Sequence, residues 1–323
     1  MEKRRLGNSD LMVTTVGLGA WAIGGGEYAF GWGSQDDRNS IRTIHAALDG
    51  GINWVDTAPV YGLGRSETVV GEALKNRRSS VILSTKCGLV WDPETRKISN
   101  NLSKKSVTAE CEASLKRLQT DMIDLYHIHW PVPDESIEEA WEAISRLIEK
   151  GSIRYAAVSN FSPSQMDRVS KIHEITSLQP PYSMIERGIE QEIIPYCRDH
   201  SIGLTVYSPM QAGLLTGKLT RERIEGLPDD DWRKKSSHMR EPALSANLEL
   251  AETLSSLAAD YGKTAGQLAV AWALRDPAVT TAIVGARRPE QAQQNIGASG
   301  WKLDEDLAEK IDQALARREK QLK

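Results

Sequence analysis

Short apolar runs alternate with longer amphipathic stretches along most of this 323-residue chain. The runs Val16–Leu18, Asn53–Asp56, Val81–Thr85, Ile123–His129, Ile153–Val158, Thr176–Gln179, Leu204–Tyr207 and Ala282–Val284 read as strands. Asp36–Asp49, Ser66–Lys75, Lys104–Leu118, Ser136–Glu149 and Pro163–His173 carry amphipathic helical patterns, and Asn247–Tyr261 and Thr264–Arg275 add two more before the last strand. In Ser136–Glu149 the apolar positions 137, 140, 141, 144, 147 and 148 form one stripe, with Ser136 available as cap.

Eight strands alternating with helices predict βαβ units, a parallel sheet and hence an α/β fold. A chain of this length favours one (β/α)8 TIM barrel, typically about 250 residues before insertions, as a single domain over residues 1–323. Ahead of it, Gly7-Asn8-Ser9-Asp10 between two extended segments predicts an N-terminal β-hairpin. The charged, Gly- and Pro-containing stretch 216–243 predicts a long loop inserted after the seventh strand.

Charge and cysteines narrow the function classes. Forty Lys and Arg against 44 Asp and Glu give a net charge of −4, which excludes a strongly basic nucleic-acid binder. No apolar run approaches the roughly 18 residues of a membrane span, and no secretory signal opens the chain. Cys87, Cys111 and Cys197 form no CxxC pair, so a reduced, cytoplasmic protein without structural zinc is expected.

In a barrel the functional face is the carboxyl end of the strands. The second strand ends at Asp56, with Tyr61 five residues on; the third ends near Lys86, and the fourth at His129. A phenol with a pKa of about 10 is a poor proton donor and acceptor at neutral pH. A nearby ammonium, from Lys86, is expected to lower it, and Asp56 supplies the counter-charge a buried lysine needs. His129 is expected to orient a substrate oxygen. His127, two residues earlier on the same strand, faces the same side, and an inward His-x-His pair raises a metallohydrolase reading. That reading lacks a third ligand, because His45, His173, His200 and His238 fall on helices or in the insertion, so no metal is expected.

These residues carry a family resemblance. Gly17-Leu18-Gly19-Ala20-Trp21, Asp56-Thr57-Ala58 with Tyr61-Gly62, Ser84-Thr85-Lys86 and Asp124 through Pro131 occur in order, followed by Val158-Ser159-Asn160-Phe161 and Gln179-Pro180-Pro181-Tyr182-Ser183. Tyr207 through Lys218 and Gly285 through Gln291 complete the set. Together they resemble the aldo-keto reductases, closest to the bacterial branch of general-stress and inositol-operon reductases and more distantly the potassium-channel β-subunits.

The resemblance implies a catalytic tetrad of Asp56, Tyr61, Lys86 and His129, with Tyr61 as proton donor to a carbonyl. It implies that Ser159, Asn160 and Gln179 hold a nicotinamide carboxamide and that Tyr207 stacks under the ring, with Ala20, Trp21 and Asp56 also at the cofactor. Ser208, Pro209, Met210, Gly213, Leu214 and Lys218 are implied to cross the pyrophosphate, and Gly285, Ala286, Arg287, Gln291, Gln294 and Asn295 to meet the adenosine.

Arg287 beside a helix start suits a 2′-phosphate, so NADP(H) is expected over NAD(H). Trp21, His129 and Trp130 are the expected substrate contacts, with Trp91 and Trp232 as weaker candidates. The expected activity is reversible NADPH-dependent reduction of a small-molecule aldehyde or ketone. The alternative is a cofactor-sensing regulatory partner like the channel β-subunits. In relatives Gln commonly stands where this chain has His127.

Overall fold

The computed structural model describes residues 1–323. In chain order its strands are β1 (Lys3–Arg5), β2 (Met12–Thr14), β3 (Val16–Gly19), β4 (Trp54–Asp56), β5 (Ile82–Cys87), β6 (Leu89–Trp91), β7 (Ile98–Asn100), β8 (Ile123–Ile128), β9 (Ile153–Ser159), β10 (Ser177–Gln179), β11 (Gly203–Tyr207) and β12 (Val279–Gly285). Eight of them, β3, β4, β5, β8, β9, β10, β11 and β12, pair in parallel and close into a barrel, so the expected (β/α)8 architecture is the observed one.

Every second residue of a strand faces the barrel interior. The hairpin of β1 and β2 stoppers the interior from below: Leu6, Leu11 and Val13 pack against Trp54, Leu125, Ala157 and Ile283. The Trp54 ring fits there because Gly17 faces it; a Cβ at position 17 would lie 2.2 Å from a ring carbon. With its floor filled, the barrel opens only at the carboxyl ends of its strands.

Helices cover the outer face. Helix Ile137–Glu149 buries Ile137, Ala140, Trp141, Ile144 and Leu147, as the stripe predicts, with Ile148 half-buried. Ser136 does not cap it. A 3₁₀ turn over Asp134–Ser136 leads into the helix, and the Ser136 side chain makes no capping bond; Glu138 and Glu139 supply the favourable first-turn charge instead. Elsewhere the capping chemistry is regular: Ser162 with Gln165 and Thr264 with Gln267 form capping boxes.

Two features depart from the pattern read along the chain. The stretch 216–243 is not wholly loop: Thr220 caps a short helix, Arg221–Glu225, and two 3₁₀ turns follow. A second hairpin, β6 with β7, rises from the end of β5. Its turn at Asp92-Pro93 is the signal that announces it, since the Asp92 side chain accepts from the backbone N–H groups of Glu94 and Thr95.

Candidate active site

Asp56 at the tip of β4 and Lys86 in β5 meet at the open end of the barrel. Lys86 Nζ donates to both Asp56 carboxylate oxygens, at 2.9 and 2.7 Å, and to the Thr57 carbonyl at 2.8 Å, so all three ammonium protons are used. Ser84 Oγ and Gln179 Nε2 donate to Asp56 Oδ1 at 2.9 and 3.1 Å. Lys86 is fully buried and Asp56 nearly so. Two charges survive such burial only when paired and hydrogen-bonded, and here they are.

Tyr61 sits in the turn after β4. Gly62, at φ +65°, holds that turn against Gly24, whose carbonyl oxygen would lie 2.3 Å from a Cβ at position 62. The contact aims the Tyr61 ring between Lys86, whose Nζ is 5.2 Å from its centroid, and His129, whose ring is 5.9 Å away and nearly perpendicular.

The electrostatics correct one expectation. Lys86 does not lower the Tyr61 pKa: burial first, then the Asp56 carboxylate, holds the phenol well above its usual value. The reason is geometric, because Asp56 is in contact with the ammonium and cancels most of its field at the ring. Tyr61 therefore stays protonated through neutral pH, as a proton donor must. Burial also lowers the Lys86 pKa, against the pull of Asp56.

Both imidazoles of β8 and its end are held neutral. Burial, then Lys86, drives His129 well below its usual value, and the same two causes push His127 down to about 3. His127 lies wholly inside the barrel, its Nδ1 3.3 Å from Ser84 Oγ. No cluster of three metal-ligating side chains forms around the pair.

Across the mouth, Asn160 adopts φ +62° after β9. Its Nδ2 donates to the His129 carbonyl and to Ser159 Oγ, and its Oδ1 accepts from the Tyr207 hydroxyl at 3.0 Å. Ser159 Oγ donates to the Gln179 carbonyl at 2.8 Å. Three side chains and the Gln179 carbonyl, from three strands and the turn after β9, thus form one tied wall.

A single cavity of about 810 Å³ runs past these groups. Asp56, Tyr61 and His129 line it, as do Trp21, Ser159, Asn160, Gln179, Tyr207, Ser208, Pro209, Met210, Gly213, Lys218, Gly285, Ala286, Arg287, Gln291, Gln294, Asn295 and Trp130. Of the implied tetrad and cofactor residues, three do not. Lys86 lies behind Asp56, Ala20 is buried in the main core, and Leu214 is buried against Ile224, Met239 and Leu244. Lys218 Nζ reaches across to Gln294 Oε1 at 2.9 Å, tying the insertion to the helix Pro289–Ile296.

Several lining residues were not legible along the chain. Trp32 and Phe30, from the loop after β3, meet the insertion there: Trp232 stacks on Trp21 at 4.9 Å, and Trp32 meets both rings edge-on. Trp91 is not at the cavity and lies under Arg117 instead. Arg223, Arg233 and Arg288 join Lys218 and Arg287, so five cations line the cavity while Asp56 is its only carboxylate. Arg233 is paired with buried Asp231 at 2.6 Å. The Arg287 guanidinium rests on Gln35 Oε1, at 2.9 Å, and on the Ser34 carbonyl.

Two carboxylates outside the cavity, Glu67 fully buried and Glu110 half-buried, fix β5. Glu67 accepts from Thr85 Oγ1 and Arg117 at 2.6 Å each, and Glu110 accepts from the Gly88 N–H at 2.9 Å, so Lys86 is clamped on both sides. Burial pushes Glu110 up to about 7 against its Ser106 and Gly88 donors. A carboxyl whose folded pKa lies above its ordinary 4.5 weakens the fold as it ionises, so stability falls as pH rises from about 4.5 to 7. Glu110→Gln should flatten that part of the stability profile. Thermal unfolding at pH 5 and pH 8 measures it, and an undiminished difference in the variant would contradict the assignment.

An open-ended barrel with a carboxylate–lysine pair, a protonated tyrosine, a neutral histidine and one long cation-lined groove defines a nucleotide-using oxidoreductase type of site. The aldo/keto reductase family profile matches residues 15–316, and the chain belongs to that family of nicotinamide-using oxidoreductases. It is 40% identical to aldo-keto reductase YhdN of Bacillus subtilis, over 98% of this chain and 94% of that protein. It is 37% identical to the NADH-specific methylglyoxal reductase of Escherichia coli, over 98% of this chain and all of that protein. Among solved structures, the glycerol dehydrogenase AKR11B4 of Gluconobacter oxydans superimposes with a TM-score of 0.88 at 38% identity, covering 98% and 96% of the two chains.

Proposed function

We propose that the protein reduces an aldehyde or ketone to the alcohol with NADPH, reversibly, and that Tyr61 delivers the proton. The observation that carries this reading is the placement of the half-buried, protonated Tyr61 beside neutral His129, rings 5.9 Å apart, on the wall of the cation-lined cavity. The donor set suits the cofactor. Ser159, Asn160 and Gln179 offer amide and hydroxyl groups for a carboxamide, Tyr207 offers a ring face, and Lys218, Arg223, Arg287 and Arg288 offer charges with no carboxylate partner. Bound there, a reduced nicotinamide supplies a hydride to the carbonyl carbon.

The chain's own groups do the rest. His129 holds the carbonyl oxygen, and Tyr61 gives it a proton as negative charge develops. Asp56 and Lys86 stay a fixed, mutually neutralised pair behind the phenol: the carboxylate keeps the ammonium charged despite burial, and the pair leaves the Tyr61 hydroxyl protonated until the carbonyl oxygen takes its proton.

The preference for NADPH over NADH rests on the absence of a free carboxylate along the groove. Sites that select NAD(H) commonly hold a ribose 2′-hydroxyl with an acid, and sites that select NADP(H) meet the phosphate with arginine. Arg287→Ala should lower the NADPH-to-NADH ratio of kcat/KM about 10- to 100-fold, the value of a charge-assisted contact. Steady-state assays with both cofactors read it. A wild-type preference for NADH, as the Escherichia coli relative's name describes for that protein, would overturn the choice.

A further inference from the structure

His127 lies beside the reacting groups without touching the cavity. The pairing of β8 with β5 sets it level with Lys86, and the pairing of β5 with β4 sets Ser84 level with Asp56. His127 and Ser84 are fully buried and neither lines the cavity, so the imidazole meets neither substrate nor cofactor.

Its hydrogen bonds fix which nitrogen carries the proton. Nδ1 stands 3.3 Å from Ser84 Oγ and 3.4 Å from the Thr85 carbonyl oxygen. A carbonyl oxygen only accepts, and the Ser84 hydroxyl proton is given to Asp56 Oδ1 at 2.9 Å. Nδ1 is therefore the donor to both, through one shared proton, and both arms are long. The opposite tautomer sets the Nδ1 lone pair against the Thr85 carbonyl, and a serine turned to meet it deserts the carboxylate. Burial, then Lys86, pushes the ring down to about 3, so no second proton is taken up at neutral pH. Nε2 is left as a bare lone pair that no donor of the protein reaches.

An orphaned acceptor inside a barrel weakens the fold, and an apolar side chain at this position avoids it. Stability is thus a poor reason for a histidine here. Direction is a better one: a run of donors leads from Nδ1–H to Ser84 Oγ and from Oγ–H to Asp56 Oδ1. That oxygen also accepts from Lys86 Nζ and Gln179 Nε2, at 2.9 and 3.1 Å, whereas Oδ2 accepts from Lys86 alone. We propose that His127 is a positioning residue, whose Nδ1–H turns the Ser84 hydroxyl onto Asp56 and so holds the Asp56–Lys86 pair in place behind Tyr61. This deepens the carbonyl-reductase reading and rests on it for the link to turnover.

Two measurements on the whole protein test it. Nitrogen NMR of protein carrying isotope-labelled histidine, with the His127 signals assigned by their loss in His127→Gln, should show Nδ1 protonated and Nε2 bare across the neutral range. A proton on Nε2 would overturn the proposal whatever the protein turns over. His127→Leu removes the donor and the orphan together, so kcat for aldehyde reduction should fall about 5- to 10-fold, the value of one hydrogen bond, with the KM for NADPH unmoved and Tm no lower. Ser84→Ala should match it in kcat, and the double variant should lose no more than either single one, because both cut the same chain. His127→Gln, whose amide can donate to Ser84, should restore most of the turnover. Losses that multiply in the double variant, a Leu variant as active as wild type, or a Leu variant that loses stability and activity together with no rescue by Gln would overturn the positioning role. Absence of aldehyde turnover in the wild type would overturn the reductase reading and that role with it, while leaving the tautomer standing.

Discussion

Tyr61→Phe should lose about 10²- to 10⁴-fold in kcat while still binding NADPH, because it removes one proton donor and leaves the ring. The ring is worth keeping: it stacks on Trp21 and lies between Lys86 and His129. A hydroxyl held well above pKa 10 is a weak acid at rest, so its contribution comes in the transition state, as the carbonyl oxygen gains charge and pulls the proton. Steady-state kinetics with cofactor titration by fluorescence separates the two quantities. Loss of binding equal to the loss of turnover would make Tyr61 a packing residue.

Lys86→Met should have the largest effect on stability. It strands the Asp56 carboxylate in a site where that residue is 3% exposed. Breaking a buried pair from one side typically costs about 3–5 kcal/mol. The Ser84 and Gln179 donors remain, which places the expected loss near the lower end, about 3 kcal/mol. Adding Asp56→Asn removes the stranded charge, and the double variant should regain about half of the loss. Denaturant unfolding of wild type, the single variant and the double variant measures this. A single variant as stable as wild type, or a double variant no better than the single, would show that the pair is not electrostatically coupled. Turnover should fall in both variants, since neither retains the Asp56–Lys86 pair behind Tyr61.

The barrel was legible because its signal is local: each strand is a short apolar run and each helix an apolar stripe, and both survive in one dimension. Asp56, Tyr61, Lys86 and His129 could be grouped because each lies at or just past the end of a neighbouring strand. The Ser136 misassignment came from Pro133, which starts a 3₁₀ turn before the helix and uses the position a cap would need. The direction of the Tyr61 shift was not legible, because it depends first on how far the fold desolvates the phenol, and then on Asp56 lying 2.7 Å from the lysine rather than merely near it. The aromatic roof was hidden for a different reason. Trp21 and Trp232 are far apart in sequence, and only the fold brings the loop after β3 under the insertion, where the Trp232 N–H donates to the Gly31 carbonyl. The same holds for Arg223 and Arg233, whose charges read as solvated loop until they line a groove.

The most direct test of the account is aldehyde-dependent NADPH oxidation by purified protein, with the alcohol product quantified beside the oxidised cofactor. The account predicts one alcohol formed per NADPH consumed, and both lost together in Tyr61→Phe. Tight NADPH binding without aldehyde-dependent oxidation, or equal product from the Phe variant, would contradict it.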